Sequence, residues 1–300
     1  MSIIKRICIL LAISILLAML PGCRKFATNN NLSESTATTE QSQKRHAKDG
    51  IQTVLILCLD AYELPSDSIG YRNAKKADFM QLLIIDEQQK KITPIQLNPD
   101  TMISYDIPGT SKKEEMPIGM VFTYGSGGSD SCLNVINAVS SLLEGIKIDH
   151  YLTFTMDSVA VVNDMIGGVS VPDSTDSDDG NILLSGTDAV EFFSFRDDED
   201  VANDSHMARQ RQYIKAIYHP FIANTQSDDF LTKLALQLGE RMTTNLTLSQ
   251  LVSMFETLGS YNMEEEIITF PGDAQKIDNM YQFFIDEASV EAVLEKLIYE

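Results

Sequence analysis

Residues Thr53 to Leu59 read TVLILCL, an unbroken apolar run rich in β-formers that closes on Asp60. So short and so apolar a run reads as a buried strand. Met80 to Ile85 (MQLLII) reads as a second strand and Lys91 to Leu97 (KITPIQL) as a third, in which Pro94 suggests an edge or a bulge. A Gly-rich turn, Tyr124 to Asp130 (YGSGGSD), leads into a helix over Ser131 to Leu143 that ends at Gly145. Tyr151 to Phe154 is expected as a strand, Ser158 to Ile166 as a helix stopped by Gly167-Gly168, and Val169 to Val171 as a strand. This alternation predicts an α/β layered domain. Further helices are expected over Ser205 to Tyr218, with Asp204 or Ser205 as cap and Pro220 past the end, and over Asp228 to Met242, Leu248 to Leu258 and Val290 to Ile298. Strands are expected over Ile267 to Phe270 and Tyr281 to Ile285. The apolar helices Leu231 to Leu238 and Leu248 to Leu258 read as core rather than as a lipid groove.

The start of the chain is an address. Lys5 and Arg6 precede Ile7 to Leu20, an apolar run of about 14 residues against the roughly 20 that span a bilayer. It closes with Leu20-Pro21-Gly22-Cys23, which resembles a bacterial lipobox with Cys23 as the lipidated first residue; a plain anchor or a signal cut elsewhere is the other reading. Both put the rest of the chain outside the cytoplasmic membrane. The expected organisation is a signal over 1–22, a flexible polar linker over 23–50 and a folded domain over 51–300. Lys and Arg number 23 against 43 Asp and Glu, a formal charge of -20. That balance excludes non-specific nucleic-acid binding, which needs a basic face. It leaves room for an anion held in one local basic pocket or through a divalent cation.

Acidic residues follow the strands. Asp60 ends the first, Asp78 directly precedes the second, and Asp100 follows the third in Asn98-Pro99-Asp100-Thr101. Three carboxylates at strand ends can meet at one sheet edge, where oxygen ligands suit Mg²⁺ or Ca²⁺. Arg196 ends VEFFSFR, and in HMARQRQ the residues His206, Arg209 and Gln210 share one helix face, where donors near a helix N-terminus suit a phosphate oxygen. A solvated, charged helix face is the bland alternative.

The order of these segments resembles the LytR-CpsA-Psr (LCP) family of cell-envelope proteins, with core motifs over 54–220 and a looser likeness over 221–300. LILCLD is similar to the family's opening strand, KKADFMQLL to its Arg-Ser-Asp strand, and QLNPDTMISYDIPG to its Pro-Arg-Asp-Thr stretch with Ile-Pro-Gly. Phe122 to Gly125 resembles its Tyr-x-Tyr-Gly-Gly loop; Gly145-Ile146, Asp149 to Tyr151 and MIGGVSV resemble further signatures. LSGTDAVEFFSFR resembles its Arg-x-Arg segment and HMARQRQ its Arg-x-x-Arg-Gln helix. The resemblance implies a three-layer α/β/α domain with a central mixed sheet and a hydrophobic groove for a polyprenyl chain. It implies a phosphotransferase that moves a glycopolymer from a polyprenyl-pyrophosphate carrier to peptidoglycan with Mg²⁺. Carried over residue by residue, Asp60 and Asp78 would hold the metal; Lys76, Arg196, His206, Arg209 and Gln210 would bind pyrophosphate; Asp100 would have a metal-linked or base role.

Three family cations are absent: Pro99, Ser194 and His206 stand where the family has Arg. Charge-assisted phosphate bonds contribute about 1.5–3 kcal/mol each, so their loss predicts weaker binding or catalysis. Arg72 and Arg211 are the cations left to stand in for them. The alternatives are therefore a catalytically degenerate prenyl-pyrophosphate-binding protein and a surface scaffold that binds no lipid. Asp173 to Gly180 (DSTDSDDG) fails the EF-hand pattern and reads as a solvated loop, as does Asp197 to Asp200. Cys58, inside the first strand, reads as a small core residue rather than a nucleophile.

Overall fold

The computed structural model describes residues 46–300 except 65, 67, 173–179, 226, 228, 279 and 300. The signal segment, Cys23, most of the linker and the acidic loop 173–179 lie outside the described residues. At the linker's far end, Ala47 bridges Tyr299 and Lys48 N–H donates to the Ile298 carbonyl at 2.8 Å, so these two residues belong to the fold.

The TVLILCL run lies in β1 (Ile51–Ala61), at the middle of a seven-stranded sheet. Antiparallel to it lies β2 (Lys75–Asp86), followed by β3 (Lys91–Leu97). The chain then makes a separate hairpin, β4 (Met102–Asp106) and β5 (Lys113–Pro117), and a 3₁₀ helix, Ile118–Thr123. Helix α1 (Ser129–Leu142) returns it to β6 (His150–Thr155), which lies parallel to β1 on its other side. Helix α2 (Ser158–Met165) is followed by a second hairpin, β7 (Val169–Pro172) and β8 (Asn181–Leu184), then α3 (Gly186–Ser194), α4 (Asp204–Thr225) and α5 (Phe230–Leu238). Short β9 (Met242–Thr244) closes one sheet edge against β6. After α6 (Leu248–Leu258), β10 (Asn262–Met263) and β11 (Ile268–Thr269) both run beside β3. The chain ends in the hairpin β12 (Gly272–Ile277) and β13 (Met280–Ile285) and helix α7 (Glu287–Leu297).

The alternation along the strands builds three layers. Leu55, Leu57, Met80 and Leu82 pack on one face against Val135 and Val139 of α1 and Val290 and Leu294 of α7. Cys58 and Phe79 face α2, α3 and α4, while Val54, Ile85 and Leu152 face α6. The fold is the expected α/β/α arrangement around a mixed sheet.

Several local expectations are corrected. Pro94 lies neither on an edge nor in a bulge: β10 pairs Lys91 and Ile92, β11 pairs Ile95 and Gln96, and the interruption between them falls at the residue with no N–H to offer. Pro220 lies inside α4 rather than after it. The cap of α4 is Asp200, from the run expected to be solvated. Its carboxylate accepts the backbone N–H groups of Asp204, Ser205 and His206 at 2.9, 3.0 and 3.0 Å. Burial pushes this carboxyl up, but the Ser205 hydroxyl and the His206 and Asp204 N–H groups outweigh it and hold its pKa below the usual range.

Candidate functional site

Asp78 owes its position to an irregularity in β2. Along the ladder with β1, Phe79 faces Cys58 and Ala77 faces Leu59, so Asp78 is the extra residue of a β-bulge. Bulges re-aim side chains and recur beside active sites. Lys76, just before the bulge, faces Asp60 across the ladder.

Lys76, Asp78, Asp100 and Arg196 line one cleft of about 430 Å³, together with Arg72, Glu114 and Glu115 of the first hairpin and Tyr281 of the last. Gly119 stands in its wall, where its N–H donates to the Pro99 carbonyl at 2.8 Å. A Cβ on Gly119 would stand 2.5 Å from the Ala77 carbonyl oxygen, so only glycine permits this close approach. Arg196 is held from three sides. Its Nη1 pairs with Asp100 Oδ2 at 2.7 Å, its Nη2 donates to the Asp200 carbonyl at 3.2 Å, and its guanidinium carbon lies 3.9 Å from the centre of the Tyr281 ring. Its Nε is buried with no hydrogen-bond partner among the described residues. Burial raises the Asp100 carboxyl above its ordinary pKa, and the opposing pull of Arg196 does not cancel it.

Behind Asp78 lies a polar chain whose direction is fixed by chemistry. Arg211 can only donate, so the Gln96 oxygen must face it, at 2.8 Å. Gln96 Nε2 then donates to Gln210 Oε1 at 3.0 Å, which turns Gln210 Nε2 toward Asp78 Oδ2 at 3.3 Å and His206 Nε2 at 2.9 Å. His206 Nδ1 meets Asn203 Oδ1 at 3.0 Å, and its Nε2 lies 3.3 Å from Asp78 Oδ2. His206 and Gln210 are wholly buried. They support Asp78 from the interior rather than facing the cleft, which differs from the pyrophosphate contacts expected of them. Arg209 folds back on Phe195, donating to its carbonyl and lying 4.9 Å from its ring centre, and it does not line the cleft.

The expected meeting of three carboxylates does not form: among the described residues no three His, Cys, Asp or Glu side chains gather as metal ligands. The bulge turns Asp78 into the cleft and Arg196 claims Asp100. Asp60 and Asp78 remain on paired strands, and both act electrostatically on Cys58, whose thiol is raised first by burial and then by these two charges. Two carboxylates suit Mg²⁺, which completes its octahedron with waters and phosphate oxygens. Cys58 and Cys132 are both buried and free.

Sequence reasoning left Arg72 undecided. The structure puts it in the cleft, with Nη2 donating to Thr123 Oγ1 at 2.7 Å and the guanidinium 4.5 Å from the Tyr124 ring centre, while Arg211 points inward. Tyr281 and the two glutamates were missed as cleft residues: the strand over Tyr281 to Ile285 was expected, but nothing in the sequence tied either hairpin to Asp100 and Arg196.

An apolar cavity of about 220 Å³ opens on the same sheet face as Phe79, between the strands and α4, α5 and α6; Leu83, Phe154, Ile217, Leu234 and Phe255 line it. The helices expected to be plain core are therefore also cavity walls. No helix among the described residues is long and apolar enough to cross a membrane.

The LytR_cpsA_psr family profile matches residues 23–298. The polyisoprenyl-teichoic acid–peptidoglycan teichoic acid transferase TagU of Bacillus mycoides is 23% identical over 257 residues, 82% of this chain and 78% of the relative. Its counterpart in Halalkalibacterium halodurans is 27% identical over 243 residues, 76% and 74% of the two chains. Among solved structures, TagT bound to LI-WTA aligns with a TM-score of 0.64 at 17% identity, covering 83% of this chain and 90% of that one. B. subtilis TagV aligns with a TM-score of 0.61 at 20% identity, covering 83% and 96%.

Proposed function

Because the chain belongs to the LytR_cpsA_psr family, we propose that it attaches a glycopolymer, carried on a polyprenyl pyrophosphate, to peptidoglycan outside the cytoplasmic membrane. A lipid on Cys23 would anchor it there. The observation that carries this reading is the adjacency of two unlike cavities. On β2, Asp78 lines the polar cleft and Gln81 and Leu83 line the apolar cavity; on α4, Gln210 supports Asp78, and Ile214 one turn later lines the apolar cavity. A ligand with a charged head and a long apolar tail fits that order.

In this reading Arg72, Lys76 and Arg196, which line the cleft, orient the pyrophosphate. Asp60 and Asp78 would hold Mg²⁺, which would supply positive charge to offset the charge that develops on the pyrophosphate. A sugar hydroxyl of peptidoglycan attacks the phosphorus that bears the glycopolymer. The new O–P bond forms as the P–O bond to the bridging oxygen breaks, and prenyl phosphate leaves with that oxygen. The hydroxyl proton passes to Asp100, whose raised carboxyl suits it as base.

A second reading, binding without transfer, is favoured by Pro99 on the cleft wall and by His206 buried behind it, neither of which offers a cation to phosphate. Incubation of the detergent-solubilised full chain with a short-chain prenyl pyrophosphate and Mg²⁺ separates the two. Release of phosphate that Asp78→Ala abolishes supports transfer chemistry. Binding without release leaves the binding protein, and neither leaves a scaffold.

A further inference from the structure

Gln81 is an anomaly in the apolar cavity. Apart from it and the phenol of Tyr218, every side chain that lines the cavity is apolar. Gln81 is 2% exposed, and its Nε2 has no hydrogen-bond partner among the described residues. A buried donor left unmade is costly, so native structures rarely keep one without a reason. Across the ladder stand Ile56 on β1 and Gln96 on β3; the Gln96 oxygen accepts from Arg211 and the Gln210 oxygen from Gln96, and neither accepts from Gln81.

Position supplies the rest. Gln81 is the cavity residue of β2 nearest to Asp78, three residues on, or about 10 Å along the strand. It therefore stands at the seam where the Asp78–Gln210–Gln96 chain gives way to apolar wall. A lipid threaded from the cleft into the cavity has its own seam, the phosphoester that joins the hydrocarbon to phosphate.

We infer that Gln81 is a specificity-determining residue that donates its side-chain amide to a phosphate oxygen at the head of a lipid held in the apolar cavity, selecting phosphorylated lipids over the corresponding alcohols. The inference rests on the proposed lipid-pyrophosphate function and adds to it a reading of the carrier's head from inside the cavity. A hydrogen bond to a charged oxygen gives discrimination of roughly 10-fold or more.

The test measures binding of a twenty-carbon prenyl monophosphate and of its alcohol to the full chain, wild type and Gln81→Met. The substitution keeps the volume and removes the amide. The inference expects the variant to lose roughly 10-fold in affinity for the phosphate and to bind the alcohol as before. An unchanged phosphate-to-alcohol ratio overturns it. Wild-type protein that binds neither lipid overturns the underlying lipid-binding reading, and this inference with it. A readout that needs no folded variant is the ¹⁵N side-chain amide resonance of Gln81 in the wild type. It should shift with the phosphate and not with the alcohol, and equal shifts with both sink the idea.

Discussion

Arg196 already has an anion: Asp100, whose Oδ2 lies 2.7 Å from its Nη1. The pair lines the cleft that the proposed function assigns to the pyrophosphate. A phosphate that recruits Arg196 must compete with a carboxylate already in place, and the freed carboxylate is then a negative charge beside the new one. Competition of this kind favours exchange of one anion for another over simple addition.

Removal of the competing charge should therefore strengthen anion binding while impairing any turnover that uses Asp100. Asp100→Asn is expected to bind inorganic pyrophosphate about 3- to 10-fold more tightly by titration calorimetry, the equivalent of about 1 kcal/mol. An affinity equal to or below that of the wild type would show that Asp100 does not restrain Arg196.

The substitution His206→Arg, attractive from the sequence as a restored cation, should damage the fold instead. His206 is wholly buried among Asn203, Gln210, Asp78 and the Phe193 carbonyl. A longer side chain there costs about 1–3 kcal/mol by overpacking alone. Urea denaturation should show that loss, with no gain in pyrophosphate affinity. Pro99→Arg, on the cleft wall, is the change expected to add phosphate affinity.

Gly119 makes a sharper demand on its neighbours. With the Ala77 carbonyl oxygen 2.5 Å from where a Cβ would sit, Gly119→Ala must push β2 or the 3₁₀ helix aside. The expected cost is about 1–3 kcal/mol in urea denaturation, together with weaker pyrophosphate binding as the cleft wall shifts. Wild-type stability in this variant would mean that the two segments separate freely.

What could be read in advance follows from how each segment is buried. TVLILCL and MQLLII declared themselves as strands because both of their faces are covered, leaving no polar alternation to confuse the period. The β12 strand, GDAQKI, is exposed throughout and carries no such pattern. The bulge at Asp78 was illegible because one extra residue leaves the apolar run on either side intact. In the helix HMARQRQ the polar composition suggested either phosphate donors or a solvated face, yet His206 and Gln210 are buried there because Asp78 and Gln96 satisfy their polar atoms. Asp197 to Asp200 misled for the same reason: one of its carboxylates caps a helix.

Two aspartates of opposite sign offer the last test. The Asp200 carboxyl is held below its ordinary pKa, so the unfolded chain binds its proton more readily than the native one. Its contribution is present above the unfolded value, about 4, and is lost as pH falls through the folded pKa. The Asp100 carboxyl is raised, so the native state binds the proton more readily, and stability is lost as pH rises from about 4 through the folded pKa. Asp200→Ala should cost about 1–2 kcal/mol at neutral pH as a lost helix cap, with the deficit shrinking in acid. Asp100→Asn should gain on the wild type as pH rises over its window, a slope of the opposite sign. Urea denaturation of the three proteins from acid to neutral pH reads both slopes, and two slopes of the same sign would refute the assignment of burial to Asp100 and capping to Asp200.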